Sequence, residues 1–226
     1  MSRAPAQPRP RRRGSSDWSL DDVQHIVLDG VSWELYEHLL EEMGDRPIRL
    51  TYDNGDLEIM PPLYEHEVPK TMIGRAIETL AEELDVAIQA AGSTTFRRRA
   101  KQRGLEPDEC YYVQSLPLIR GKRKLSLPKD PPPDLAVEID VTSRSIARLP
   151  IYAALGVPEV WRFDGAAIQC LHLRPDGEYV ASDYSRAFPM LRPRDLMRFV
   201  EMAQAMDLTA AGKALRRWVR RQKWAK

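Results

Sequence analysis

The sequence predicts an α/β domain, a mixed sheet flanked by helices, and three observations carry that prediction. Residues 134–163 run as apolar strand, short helix and second apolar strand. Residues 65–84 repeat apolar side chains on one side, the period of an amphipathic helix. Residues 48–60 alternate around Asp53-Asn54-Gly55-Asp56, and Asn-Gly supplies the positive φ angles that a tight hairpin turn requires.

The elements follow in order. Residues 1–17 combine Pro, Arg, Gly and Ser with almost no apolar side chains, which cannot offset the entropy of ordering the backbone, so they read as a disordered basic arm. The folded domain is expected from Trp18 to residue 206, with 207–226 as a basic helix or tail. Ser32 caps a helix that ends at Gly44, and the hairpin follows. After the helix over 65–84, strands are expected at 86–97 and 109–114, then a polar surface loop at 121–129. The next strand leads to a helix that Pro150 opens and Gly156 closes, leaving Arg148 just before its first turn. Val157 to Phe163 is again a strand, and the Asp164-Gly165 turn joins it to another at 167–173.

With 226 residues, 43% of them hydrophobic, the chain suits one core with tails. No apolar run approaches the ~18 residues of a membrane span, and the first sixteen residues lack the apolar centre of a secretion signal. A soluble, cytoplasmic protein with no membrane partner is expected. Cys110 and Cys170 stand in unrelated contexts, and the four histidines show neither HExxH nor a Cys/His spacing, so zinc is not expected. The net charge of +1 hides a segregation: five arginines in residues 1–13 and seven Lys or Arg in 213–226 leave the intervening body at about −11. Basic ends suit phosphate backbones, and equally other acidic partners, including the protein's own body. The run Arg97-Arg98-Arg99-Ala100-Lys101 reads as a solvated rim rather than a DNA contact, and Trp218 and Trp224 as anchors of a docked helix.

Chemistry concentrates in PPPDLAVEIDVTS at 131–143. A strand alternates its side chains, so Leu135, Val137, Ile139 and Val141 share one face while Asp134, Glu138 and Asp140 share the other. Glu138 and Asp140 are about 6.6 Å apart along the strand, within reach of one divalent cation. The alternative is an amphipathic edge strand whose acids face water.

These residues carry a resemblance. LTYDNGDLEIMPP at 50–62, the helix with His66, GSTTFRRR at 92–99, EPDECYYVQ at 106–114, PPPDLAVEIDVTS and LPIYAALGVPEVWRFDG at 149–165 are similar to the Uma family of restriction endonuclease-like proteins, a branch of the PD-(D/E)XK nuclease superfamily. The resemblance spans most of residues 28–200. It implies a restriction-endonuclease-like sheet with an added N-terminal helix and hairpin, Mg²⁺ as cofactor with Mn²⁺ as substitute, and DNA as partner and substrate; a homodimer would suit a nuclease that must cut two strands, though no residue pattern points to it. It matches Asp108 and Glu138 to the two metal-holding acids; Asp140, a position where this chain departs from the pattern, is then available as a third metal ligand. His66 falls on a characteristic position, though a histidine at a helix start is also a common structural residue. Where the superfamily expects lysine two residues after its glutamate this chain has Asp140, and the family's replacement on the following helix matches Arg148. Arginine binds phosphate bidentately but stays protonated, so its role is electrostatic.

The residues themselves leave other readings open. Asp108 after Pro107 can be a turn residue, Glu138 can pair with an arginine, and Arg148 can satisfy nearby carbonyls or acids. At the level of the whole protein, the alternatives are a catalytically impaired nuclease-fold protein that binds nucleic acid or acts as a scaffold, and a phosphoesterase acting on something other than polymeric DNA.

Overall fold

The computed structural model describes residues 25–44, 46–61, 63–141 and 146–222. The expected arm, Trp18 and Trp224 lie outside them. Strands β1 (Ile26–Leu28), β2 (Arg49–Asp53), β3 (Asp56–Met60), β5 (Phe96–Arg98) and β6 (Arg103–Leu105) form a five-stranded antiparallel sheet in the order β1-β3-β2-β6-β5. Strands β4 (Gln89–Ala90), β7 (Glu109–Tyr112), β8 (Leu135–Ile139), β9 (Glu159–Phe163), β10 (Ile168–Leu173) and β11 (Tyr179–Ser182) form a six-stranded mixed sheet in the order β11-β10-β9-β8-β7-β4. Only β8 and β9 run parallel in it, joined by helix α4 (Arg148–Leu155), because parallel neighbours need a crossover.

Helices cover both faces of the larger sheet. On one face α2 (Tyr64–Leu84), α5 (Met197–Ala205) and α6 (Leu208–Arg221) enclose a core with Leu135, Val137, Ile139, Trp161 and Phe163. On the other, α4 and the short α3 (Leu116–Ile119) pack with Ala136, Val160, Cys110 and Tyr112. Helix α1 (Trp33–Met43) covers the smaller sheet through Trp33, Tyr36 and Tyr52, with the Tyr36 and Tyr52 rings stacked 4.8 Å apart. Gly104 in β6 permits this approach, since a Cβ there would collide with the Tyr36 hydroxyl.

Local signals act as their chemistry requires. The Ser32 side chain accepts from Leu35 N at 3.2 Å, and Gly44 ends α1 at φ +51°. Asn54 and Gly55 take φ values of 51° and 108° at the β2–β3 turn. Gly156 closes α4 at φ +86°.

Two expectations, and one of the alternatives, need correction. The strand expected at 86–97 is two short strands in different sheets: Gly92 turns with positive φ, Thr94 N donates back to Ala91 O at 3.1 Å, and the chain passes from the larger sheet to the smaller one. Strand β8 is not an edge strand with acids in water; it is interior, and all five of its residues are buried. Arg148 is the first residue of α4 rather than its predecessor, with Pro150 still inside the first turn, where its missing N–H costs nothing.

The C-terminal tail docks as a helix. Ala211, Leu215 and Val219 of α6 are buried, Trp218 meets Phe199 at 5.6 Å between ring centroids, and the Arg198 guanidinium lies 4.8 Å from both rings. Arg216 and Arg220 pair with Glu82 and Glu83 of α2, so part of the basic run neutralises the protein's own acids. Arg99 likewise pairs with Glu34 and Glu37 of α1, in line with a rim role for its run. No helix among the described residues is long and apolar enough to cross a membrane. Leu215→Ala is expected to destabilise the protein by about 2–5 kcal/mol, read as a lower urea midpoint at unchanged slope.

Candidate active site

The site forms where the two sheets and α4 meet. Strands β7 and β8 are antiparallel neighbours with Glu109 opposite Val137, so Asp108, one residue before β7, comes level with Glu138. Asp108 is 1% exposed and Glu138 3%. The Asp108 carboxylate is anchored to the sheet, Oδ2 accepting from Ile139 N at 2.7 Å. This places it by the backbone of the strand that carries Glu138, a placement that a turn residue would not need.

Each carboxylate has a guanidinium beside it. Arg49 Nη1 of β2 pairs with Asp108 Oδ1, and Arg148 Nε of α4 lies 3.3 Å from Glu138 Oε2. Tyr152, one turn after Arg148, donates its hydroxyl to Glu138 Oε1. Arg148 also donates from Nη2 to the Glu106 carbonyl. Burial opposes the charge on Arg148, but Glu138, Tyr152 and Glu58 outweigh it and hold the guanidinium above its ordinary pKa. Burial, then the Glu138 charge, push the Tyr152 phenol far up, so it remains a donor. Arg148 therefore pairs with an acid and satisfies a carbonyl within the same region as the acids, as the residue-level alternatives described.

The smaller sheet contributes more than support. Along β2 and β3, Leu50, Tyr52 and Leu57 face α1, while Thr51 and Glu58 stand opposite each other on the other side, 2% and 1% exposed. Arg49 shares that polar side by alternation. Glu106, whose side chain accepts from Thr95 Oγ1 at 2.8 Å, borders both Arg49 and Arg148.

A cleft of about 760 Å³ opens beside Glu138 and Arg148, walled by these two and by Asp140, Ala147, Val160 and Arg162 among others, while Asp108 is not part of its lining. Asp140 lies just beyond β8, its Oδ2 3.5 Å from Arg162 Nε, so it shares the cleft wall with Glu138. Asp134 does not join them. It is a buried clamp accepting from Val113 N, Ser115 N and Ser115 Oγ at 2.7–2.8 Å, shaping the turn before α3. His66 is buried in the first turn of α2, and Glu65 and Glu67 flank it. The donors of Asp108, Glu138 and Asp140 are all hard oxygens, the class that Mg²⁺ or Mn²⁺ takes.

Sequence reasoning missed Arg49, Glu58 and Tyr152. The signal for the first two was available: charges within the otherwise apolar alternation of IRLTYDNGDLEIM. Tyr152 stands four residues after Arg148, the spacing of one helix face.

The two sheets, the crossover helix and the buried charged cluster define a mixed α/β protein. Residues 33–206 match the Uma2 family, described as "Putative restriction endonuclease", and the chain belongs to that family. All of the candidate site residues fall within the matched span, whereas α6 lies beyond it. A crystal structure of a "putative nuclease belonging to DUF820" from Anabaena variabilis is similar at 15% identity, covering 75% of this chain and 90% of that one, with a TM-score of 0.42. No curated protein matches the chain.

Two outcomes follow from the charge arrangement. Arg49→Ala removes the counter-charge from a fully buried Asp108 oxygen and is expected to cost about 3–5 kcal/mol, measured by chemical unfolding. Burial raises the Glu106 carboxyl above its ordinary 4.5. A raised folded-state pKa contributes stability below the ordinary value and loses it as pH rises through the raised one. Glu106→Gln is expected to flatten that decline, so that unfolding midpoints of variant and native protein diverge as pH rises from 4.5.

Proposed function

We propose that this protein is a Mg²⁺-dependent endonuclease that hydrolyses DNA phosphodiester bonds, with Mn²⁺ able to substitute. The observation that carries the reading is the placement of Asp108, at the head of β7, level with Glu138 on β8, whose side chain lines a cleft together with Asp140 and Arg148. Asp108 and Glu138 would hold the cation, with Asp140 as a third carboxylate from the cleft wall. Such an ion supplies a nucleophile from water and neutralises charge on the leaving oxygen.

The chain's own residues set the rest. Arg148 keeps its proton and so binds and orients phosphate rather than accepting a proton. Tyr152 holds Glu138 in place through its hydroxyl. Arg49 anchors Asp108 from the smaller sheet. His66 enters the reading as a further active-site residue at the start of α2. A homodimer would present two such sites to the two strands of a duplex, and the reading places the protein in the cytoplasm.

A second reading has its own support. Asp108 and Glu138 each already have an internal guanidinium partner, which suits a nuclease-fold protein that binds nucleic acid without cutting it.

Plasmid and single-stranded DNA incubated with Mg²⁺ or Mn²⁺ separate the two. The native protein is expected to nick both, chelator to abolish nicking, and Glu138→Ala to lower the rate by more than about 100-fold, beyond the ~10–100-fold that loss of an outer partner costs. Arg148→Lys is expected to keep activity and Arg148→Ala to lose it. Native protein that binds metal and DNA yet leaves both intact would transfer the assignment to the second reading.

A further inference from the structure

Across the larger sheet from the candidate active site, three side chains of different chemistry converge. Glu159 opens β9, while Cys170 and His172 lie on β10, with His172 directly opposite Glu159 in the ladder. Cys170 Sγ is 3.4 Å from Glu159 Oε1 and 3.5 Å from His172 Nε2, and one donor atom from each residue lies within 4.8 Å of the other two. We propose that Glu159, Cys170 and His172 form a second metal site, suited to a borderline-soft divalent cation of the Zn²⁺ class.

The distances bear directly on this. Zn²⁺ binds sulfur at about 2.3 Å and nitrogen or oxygen at about 2.0–2.2 Å. Around a tetrahedral ion those lengths place the nitrogen and oxygen donors about 3.5 Å from the sulfur. The 3.4 and 3.5 Å contacts seen here match those edges without movement of the backbone. The donor set of thiol, imidazole and carboxylate selects against Mg²⁺, which takes oxygen, and so differs in kind from the Asp108 and Glu138 pair.

The surroundings hold the donors in place. Glu159 Oε2 accepts from Arg186 N and Ala187 N at 2.7 and 2.9 Å, and Oε1 accepts from the Trp161 indole at 2.6 Å. Those bonds fix the carboxylate while its Oε1 still faces the sulfur. The Cys170 thiol donates to Glu159 Oε1. Cation binding would expel that proton, one per ion, and both the sulfur and Oε1 would turn from the shared hydrogen to the metal. His172 is half-buried, and Tyr184, whose carbonyl lies 3.5 Å from Cys170 Sγ, is exposed, so the cluster sits near the protein surface on that side.

The two sites are separated by the sheet. Trp161 and Cys170 belong to the core beneath α2 and α5, whereas Ala136, Val160 and Tyr152 belong to the core beneath α4. The cation would therefore fasten β9, β10 and the 184–187 segment together without meeting the cleft.

Titration of metal-stripped full-length protein with Co²⁺ and then Zn²⁺ tests the assignment independently of any cleavage. One equivalent of Co²⁺ is expected to produce thiolate-to-cobalt absorption, which one equivalent of Zn²⁺ removes and Mg²⁺ does not. Cys170→Ser should abolish that absorption, His172→Ala should weaken binding by more than about 100-fold, and Glu138→Ala should change neither. His172 is half-buried, so its variant tests the site even if Cys170→Ser fails to fold. Folded native protein without the thiolate absorption, or His172→Ala binding as tightly as native, would overturn the proposal.

Discussion

Burying a carboxylate or guanidinium costs several kcal/mol per ion even after relaxation, and the cost is met only by well-placed partners. This fold buries Glu58, Asp108, Glu138 and Arg148 in one region, so their mutual placement constrains everything around them. Arg49 comes from the smaller sheet, Asp108 and Glu138 from the larger, and Arg148 from the crossover helix. The cluster can form only when those three units are assembled. The Arg49–Asp108 pair thereby joins the N-terminal sheet to the larger one, alongside the apolar core in which Phe96 and Leu105 pack against Tyr152 and Ala136.

Much of this was legible because local chemistry left few choices. Asn54-Gly55, Ser32, Gly44 and Gly156 each perform the one backbone task their side chains favour, and the 3.6 period of α2 corresponds to the face it buries. The pairing of Asp108 with Glu138 was legible through family wording rather than through physics, since thirty residues separate them and no local rule sets the register of β7 on β8. Strand β8 left one alternative open. Its alternating acids allow a water-facing edge, and only the tertiary fact of neighbours on both sides shows that Glu138 lies in the interior.

What could not be read depends on chain segments meeting from afar. Residues 86–97 look like one strand because the turn at Gly92 is a single weak signal inside an extended stretch. Arg49 and Glu58 were visible as charges in an apolar hairpin, but their purpose depends on a second sheet whose existence the hairpin does not imply. Glu159, Cys170 and His172 illustrate the same limit. A Cys-x-His pair on a strand has no loop spacing to announce it, and its third member arrives only through the β9–β10 ladder.

The positions of Asp108 and Glu138 at one level of the β7–β8 ladder have a further consequence. Because the backbone sets their separation, the site is a gauge of strand register. A slip of one residue between β7 and β8 would exchange the two faces of one strand relative to the other, sending one acid toward the opposite core and an apolar side chain into its place. The charged cluster therefore penalises every register but one, so the residues that point to chemistry also select which sheet the chain can form.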